Sequence, residues 1–191
     1  DKIVRFAALL VIAVLSARSS SAEDQARVIR AAGNSAVRTL SSYARRLIID
    51  GMRRSPTFAS EVRELSQSDV IAIVEPSQSL PTGICGHLVF LTARGGFRYV
   101  QILFDRRYNV PRTVAIIGHE LRHALEVAAH PEVVSPQALG AMYTRIGYRK
   151  PDRWTGQVFD SPAAIAAGDA IIEEMLAPPV KADATETVIG R

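Results

Sequence analysis

Residues 115–130 read AIIGHELRHALEVAAH, and this stretch decides the fold. At about 100° per residue, Val114, Ile117, Leu121, Leu125 and Ala128 fall in one sector, the stripe of a helix that faces a core. His119, His123, Glu126 and His130 gather within about 60° of one another on the opposite side, so the helix carries an apolar face and a His-carboxylate face. Asn109 and Pro111 supply the signals that open it, and His130-Pro131 ends it.

Working outward toward the N-terminus, Val37, Leu40, Tyr43, Ala44, Leu47 and Ile48 recur at three and four. They predict an amphipathic helix that begins at Ser35 and stops near Gly51. Ser55 and Pro56 form an N-cap and first-turn pair for a second helix that buries Phe58, Val62 and Leu65 and ends near Gln67. The run VIAIV at 70–74 suits a buried strand. Residues 87–93 and 97–104 are strand-length runs joined by Arg94, Gly95 and Gly96, which predicts a hairpin and a small, mostly antiparallel sheet. Beyond the His-bearing helix, residues 138–146 read as helical and 147–157 as a loop, and Ser161-Pro162 opens a last helix to about Leu176. The fold class is α+β: N-terminal helices, a small sheet, the His-bearing helix, then C-terminal helices.

The chain has 191 residues, 48% hydrophobic and 22% charged, which excludes a low-complexity chain or one too polar to build a core. Phe6 to Leu15 (FAALLVIAVL) follows Lys2 and Arg5 and precedes SARSSSA, the three parts of a secretory signal spanning residues 1–22. That run is too short to cross a bilayer, which needs about 20 residues. The expected organisation is a signal at 1–22, one domain at 23–176 and a disordered tail at 177–191, with a periplasmic or extracellular address and no stable membrane span after cleavage. The formal charge of +4 comes partly from Lys2, Arg5 and Arg18, and the remaining Arg residues are scattered among acids, so no nucleic-acid partner is implied. Cys85 is the single cysteine, and packing rather than a disulfide must stabilise the fold.

His119-Glu120-Leu121-Arg122-His123 is an HExxH motif. Two histidines four apart project from the same helix face one turn apart, close enough for both imidazoles to hold one Zn²⁺. Glu120 between them points to the side, where it can accept a proton from an attacking water instead of binding the metal.

On these residues the chain resembles the zincin metallopeptidases, and the order helix, sheet with hairpin, motif helix is similar over roughly residues 35–130. The resemblance implies a two-lobed α+β fold with an HExxH active-site helix. It also implies a zinc cofactor, Glu120 as general base, and a peptide or protein substrate paired to the sheet's edge strand, placed at Phe97 to Phe104. The segment HELRHALEVA also resembles exported bacterial proteins of unknown function. The chain departs from the metzincin pattern HExxHxxGxxH, because Glu126 stands at the Gly position and Ala129 at the third His. His130 comes one residue late, about 10 Å along the helix from His123, and reads as helix-end charge compensation or a substrate contact.

The glutamate-type zincins take an acidic third ligand from a later helix, and the candidate here is Asp160 in FDSPAA, an aspartate where that pattern has glutamate. Asp160 is either that ligand or a cap for the helix at Ser161-Pro162. Glu126 is the alternative, sharing the metal or orienting His123 from behind. Glu173 and Glu174 rank third, as a solvated helix face or as ligands. Cys85 in GICGH is similar to the thiol ligand of peptide deformylases, or is a small buried residue. Tyr143, Tyr148 and Arg122 qualify by type as oxyanion donors. The alternative to an enzyme is a non-catalytic, metal-stabilised envelope module that binds a protein partner. A structural zinc has four protein ligands, whereas a catalytic one has three and an open position. A lipid-binding adaptor is disfavoured because the cationic face of the first helix is short and diluted.

Overall fold

Each of three Ser-Pro pairs opens a helix, with the serine hydroxyl accepting a backbone N–H three residues on and the proline occupying the first turn. Ser55 caps α2 (Pro56–Leu65) through Phe58 N at 3.0 Å, Ser135 caps α4 (Pro136–Ile146) through Ala138 N at 3.2 Å, and Ser161 caps α5 (Pro162–Leu176) through Ala164 N at 3.0 Å. Ser41 and Asn109 cap α1 (Ser42–Arg54) and α3 (Val110–Ala129) in the same way. This computed structural model describes residues 35–81, 83–149 and 159–178. The expected signal at 1–22, the tail beyond 178 and most of the loop at 147–157 lie outside the described residues.

The strands are β1 (Val37–Arg38), β2 (Val70–Ser77), β3 (Gly86–Arg94), β4 (Phe97–Asp105), β5 (Tyr148–Arg149) and β6 (Phe159–Asp160). The fold is α+β, with five helices among the described residues. The expected first helix is overturned at its start. Residues 37–38 pair with β2 instead, Val37 opposite Ala72, and the Glu75 carboxylate accepts Leu40 N at 2.7 Å before Ser41 caps α1. Leu40, expected in the buried stripe, is 68% exposed. Nor does α1 stop at Gly51. That glycine sits inside the helix, because a Cβ there would lie 2.9 Å from Val114 Cγ1 and 3.0 Å from Phe58 Cδ1, so its absence lets three helices converge.

The main sheet has the order β1-β2-β4-β3. It is mixed, not mostly antiparallel: β1 and β4 both run parallel to β2, and only the β3-β4 hairpin is antiparallel. The hairpin forms as expected, with Gly95 and Gly96 at φ of 63° and 79° supplying the left-handed turn. What the local pattern does not determine is which strand of the hairpin meets β2. The segment after Ser77 carries the chain to the outside, so β4 inserts between β2 and β3. Alternate β4 residues Arg98, Val100, Ile102 and Phe104 are buried accordingly, while β3 ends in exposed Thr92 to Arg94, as suits an edge. The edge strand is therefore β3 and not Phe97 to Phe104, which has no free side. Pro76 lies beyond the short stretch of β2 that pairs with β1, where one side of the strand needs no donor.

Helix α3 is the centre of the molecule. Its apolar stripe, Val114, Ile117, Leu121 and Ala124, is fully buried and meets the sheet, whose core is Val70, Val74, Val100, Ile102 and Phe104. Its other side is covered by α2 and α5. Gly118 permits the closest approach to α5, since a Cβ there would run into Ile171 Cδ1. The His-carboxylate face is thus not a solvent face: Glu120, His123 and Glu126 are all buried. Among the described residues no helix is long and apolar enough to cross a membrane.

Candidate metal centre

Two elements bring the site together. Helix α3 presents His119 and His123 one turn apart, with ring centroids 4.9 Å apart and planes at 83°. Strand β6, 37 residues later, delivers Asp160 from the residue before the α5 cap. β6 pairs with β5, Tyr148 opposite Asp160, and Gly147 admits the approach because a Cβ on it would stand 2.6 Å from the Asp160 carbonyl oxygen.

His119 Nε2 lies 3.3 Å from Asp160 Oδ1, and His123 Nε2 lies 3.7 Å from the same oxygen. One ligand atom from each of the three residues lies within 4.8 Å of the others, so the group could hold a metal ion. A tetrahedral ion with bonds of about 2.0 to 2.1 Å needs donors about 3.4 Å apart, and the two distances to Asp160 bracket that value. The helix cap is Ser161 and not Asp160. Asp160 Oδ1 accepts the Ser161 N–H at 2.8 Å, while its side chain turns to the histidines.

Glu126 is not in the ligand group. Its Oε2 meets His123 Nδ1 at 2.8 Å and the Tyr143 hydroxyl at 3.1 Å, and its Oε1 accepts from Ser161 Oγ. Burial pushes this carboxyl up, but the hydrogen bonds from His123, Ser161 and Tyr143 and the charge of His123 hold it below the usual range. An ionised carboxylate can only accept, which puts the hydrogen of His123 on Nδ1 and leaves the Nε2 lone pair facing Asp160. Burial opposes a positive charge on His123, yet the hydrogen bond to Glu126 and the carboxylates of Glu120, Glu126 and Asp160 outweigh it and raise its pKa. A field that favours a second proton there also favours a metal cation.

Glu120 is buried beside the start of β3. Gly86 makes room for it, because a Cβ at that position would lie 2.6 Å from Glu120 Oε1 and 2.8 Å from Ile116 Cγ2. It contributes no atom to the three-residue ligand group, consistent with its sideways projection between the two histidines.

The remaining candidates lie elsewhere. Glu174 takes Thr57 N at 3.1 Å, Thr57 Oγ1 at 2.7 Å and Ser55 Oγ, so it binds the α2 N-terminus, and Glu173 is exposed. Cys85 Sγ meets Tyr108 OH at 3.1 Å, outside the ligand group. Tyr143 is committed to Glu126, with its pKa raised by burial and that carboxylate, and so is no free oxyanion donor. Tyr148 is 43% exposed on β5, and Arg122 faces a groove between α2 and α5. His130 pairs with Glu132 at 3.3 Å.

Compensation of the α3 C-terminus comes instead from Arg98 of β4. Its Nη1 donates to the Val127 and His130 carbonyls at 2.7 Å each, and its Nε and Nη2 grip Asp69 at 2.7 and 2.6 Å. Arg98 and the Ser161-Tyr143 pair around Glu126 are the residues sequence reasoning missed as partners. A buried arginine at an alternating strand position was the only local signal for Arg98. Comparison with protein families, curated proteins and solved structures returns no match.

Proposed function

We propose that this protein is a zincin-like, zinc-dependent hydrolase of peptide or amide bonds, exported by its N-terminal FAALLVIAVL segment. The observation that carries the proposal is the convergence of His119, His123 and Asp160, with the His123 ring fixed by Glu126 so that Nε2 points to Asp160. That supports the aspartate as third ligand. Among the described residues no fourth His, Cys, Asp or Glu joins the group, which favours a catalytic over a purely structural zinc and weighs against the non-catalytic module.

His119, His123 and Asp160 would hold a zinc ion, which when bound would supply Lewis acidity toward water and a scissile carbonyl. Glu120 accepts the proton from the attacking water and returns it to the leaving amine. Its carboxylate lies beside Gly86 at the start of β3, the long edge strand of the main sheet. An extended peptide added along β3 would pass next to Glu120, so the edge that receives substrate in this reading is β3.

The test is zinc content and peptide hydrolysis of wild type, Glu120→Gln and His123→Ala. Glu120→Gln is expected to keep zinc and lose hydrolysis, and His123→Ala to lose both. A fully active Glu120→Gln protein, or a wild type that binds no zinc, overturns the proposal.

A further inference from the structure

Arginines far apart in the sequence meet at one end of the sheet. β1, β2 and β4 run parallel, with Ser77 opposite Asp105 at the ends of β2 and β4, and Glu75 holds Leu40 N beside the end of β2. The connection from β4 to α3 leaves from this same end. Its Arg106 lies over the Tyr43 ring of α1, 5.3 Å from the ring centre, and Tyr43 packs 6.2 Å from the Phe104 ring. Arg46 stands one turn beyond Tyr43 on α1, and Arg112 lies 5.9 Å over the Tyr108 ring. Arg45, Arg46, Arg106 and Arg112 are exposed and make no salt bridge among the described residues.

Little negative charge opposes them. Asp105 is buried and gripped by Arg107, and Glu75 accepts from Leu40 N and Thr39 Oγ1. Neither α1 nor α3 has an acid in its first turn, and residues 78–85, which leave β2 at this end, carry no charge. Large apolar side chains stand among the arginines: Leu40 is 68% exposed, Val110 42% and Tyr108 38%. Positive charge alone suits any soluble polyanion. Exposed leucine and valine beside arginine suit a phase that is anionic at its surface and apolar beneath, and tyrosine settles at that boundary.

We infer that this end of the molecule docks on an anionic phospholipid membrane, with Arg46, Arg106 and Arg112 at the headgroups and Leu40, Tyr108 and Val110 entering the interface. The cationic face of α1 is short by itself, and the fold completes it with the β4-α3 connection. None of these side chains belongs to the His119, His123 and Asp160 group, so the docking stands apart from the hydrolytic reading.

The experiment is co-sedimentation of the full chain with vesicles of phosphatidylcholine alone and of an equal mixture with phosphatidylglycerol. Tighter binding to the anionic vesicles is expected, and it should weaken as salt is raised. An arginine near an anionic surface is worth about fivefold in partitioning, so Arg46→Gln, Arg106→Gln and Arg112→Gln together should weaken binding on the order of 100-fold. Leu40→Ser with Val110→Ser should weaken it about tenfold. Hydrogen exchange on the wild-type chain locates the contact: anionic vesicles should slow exchange at residues 106–110, and neutral vesicles should not. Equal binding to both vesicles, or full binding by the arginine variant, overturns the inference. So does unchanged exchange at 106–110, the result if only the apolar segment at 6–15 attaches. Undiminished binding by the Leu40 and Val110 variant also overturns it, by marking a site for a soluble polyanion. The exchange measurement needs only wild-type protein, so it decides the matter even if a variant fails to fold.

Discussion

His123 meets Glu126 through Nδ1, at 2.8 Å, and turns Nε2 toward Asp160, 3.7 Å away. One carboxylate thus orients the ring while the other shares the cation-binding side. Removing the first should loosen the site without abolishing it. Glu126→Gln is expected to weaken zinc binding about 10- to 100-fold, while Asp160→Ala weakens it further. Competition against a chelator of known affinity measures both, and equal zinc affinity in Glu126→Gln and wild type would contradict the orienting role.

Gly86 offers a separate handle on Glu120. An alanine Cβ would fall 2.6 Å from Glu120 Oε1, so Gly86→Ala should displace that carboxylate while leaving the histidines in place. The expected outcome is at least a tenfold fall in kcat with zinc content unchanged, alongside a loss of about 1 to 3 kcal/mol from overpacking. A variant with normal turnover would show that Glu120 does not need its present position.

The Arg98 clamp predicts a stability effect remote from the site. Arg98→Met leaves the Val127 and His130 carbonyls without their donor and Asp69 without its guanidinium. A loss of about 3 kcal/mol is expected, because the Val127 carbonyl is left buried without its charged donor and the His130 carbonyl loses the same donor, whereas Asp69 is half exposed and can turn to water. Urea unfolding measures it, and a change under about 0.5 kcal/mol, the scale of an ordinary surface substitution, would refute the clamp.

Glu61 should give the protein an alkaline liability. Burial is the main cause that lifts its pKa from 4.5 to about 8, with Arg122 pulling the other way and Glu64 and Glu174 adding to the rise. Below pH 4.5 the folded and unfolded chains both hold the proton. Between pH 4.5 and 8 the unfolded chain releases it while the folded chain keeps it, so stability falls as pH rises and levels off above 8. Glu61→Gln should flatten that slope and raise stability at pH 9 by on the order of 5 kcal/mol, at about 1.4 kcal/mol per tenfold in the proton equilibrium. Urea midpoints of both proteins across this range test it.

Local chemistry in the sequence located every helix after Ser55, because a serine hydroxyl, a proline and an apolar period act within a few residues. The Gly95-Gly96 turn was equally legible. The order of the strands was not, since nothing near residues 97–104 says that they insert beside β2. For the same reason the edge strand was placed one strand too far along. Gly51 read as a stop when its role is to admit Val114 and Phe58 from other helices. At the site, the His119-His123 spacing was visible and Asp160 was open between ligand and cap. Only the three-dimensional pairing of Ser161 with Ala164 and Glu126 separates the two roles.

Asp160 is held beside the histidines by the β5-β6 pairing at Gly147 and by the packing of α5 on α3 at the Gly118-Ile171 seam. An ion that needs all three residues would have little hold on a chain whose last helix has yet to settle. Metal occupancy would then act as a latch on the final stage of assembly, adding stability that grows with the logarithm of free metal concentration. Substitutions in the α3-α5 seam, which runs past His119 at Gly168, would surface as changes in apparent metal affinity.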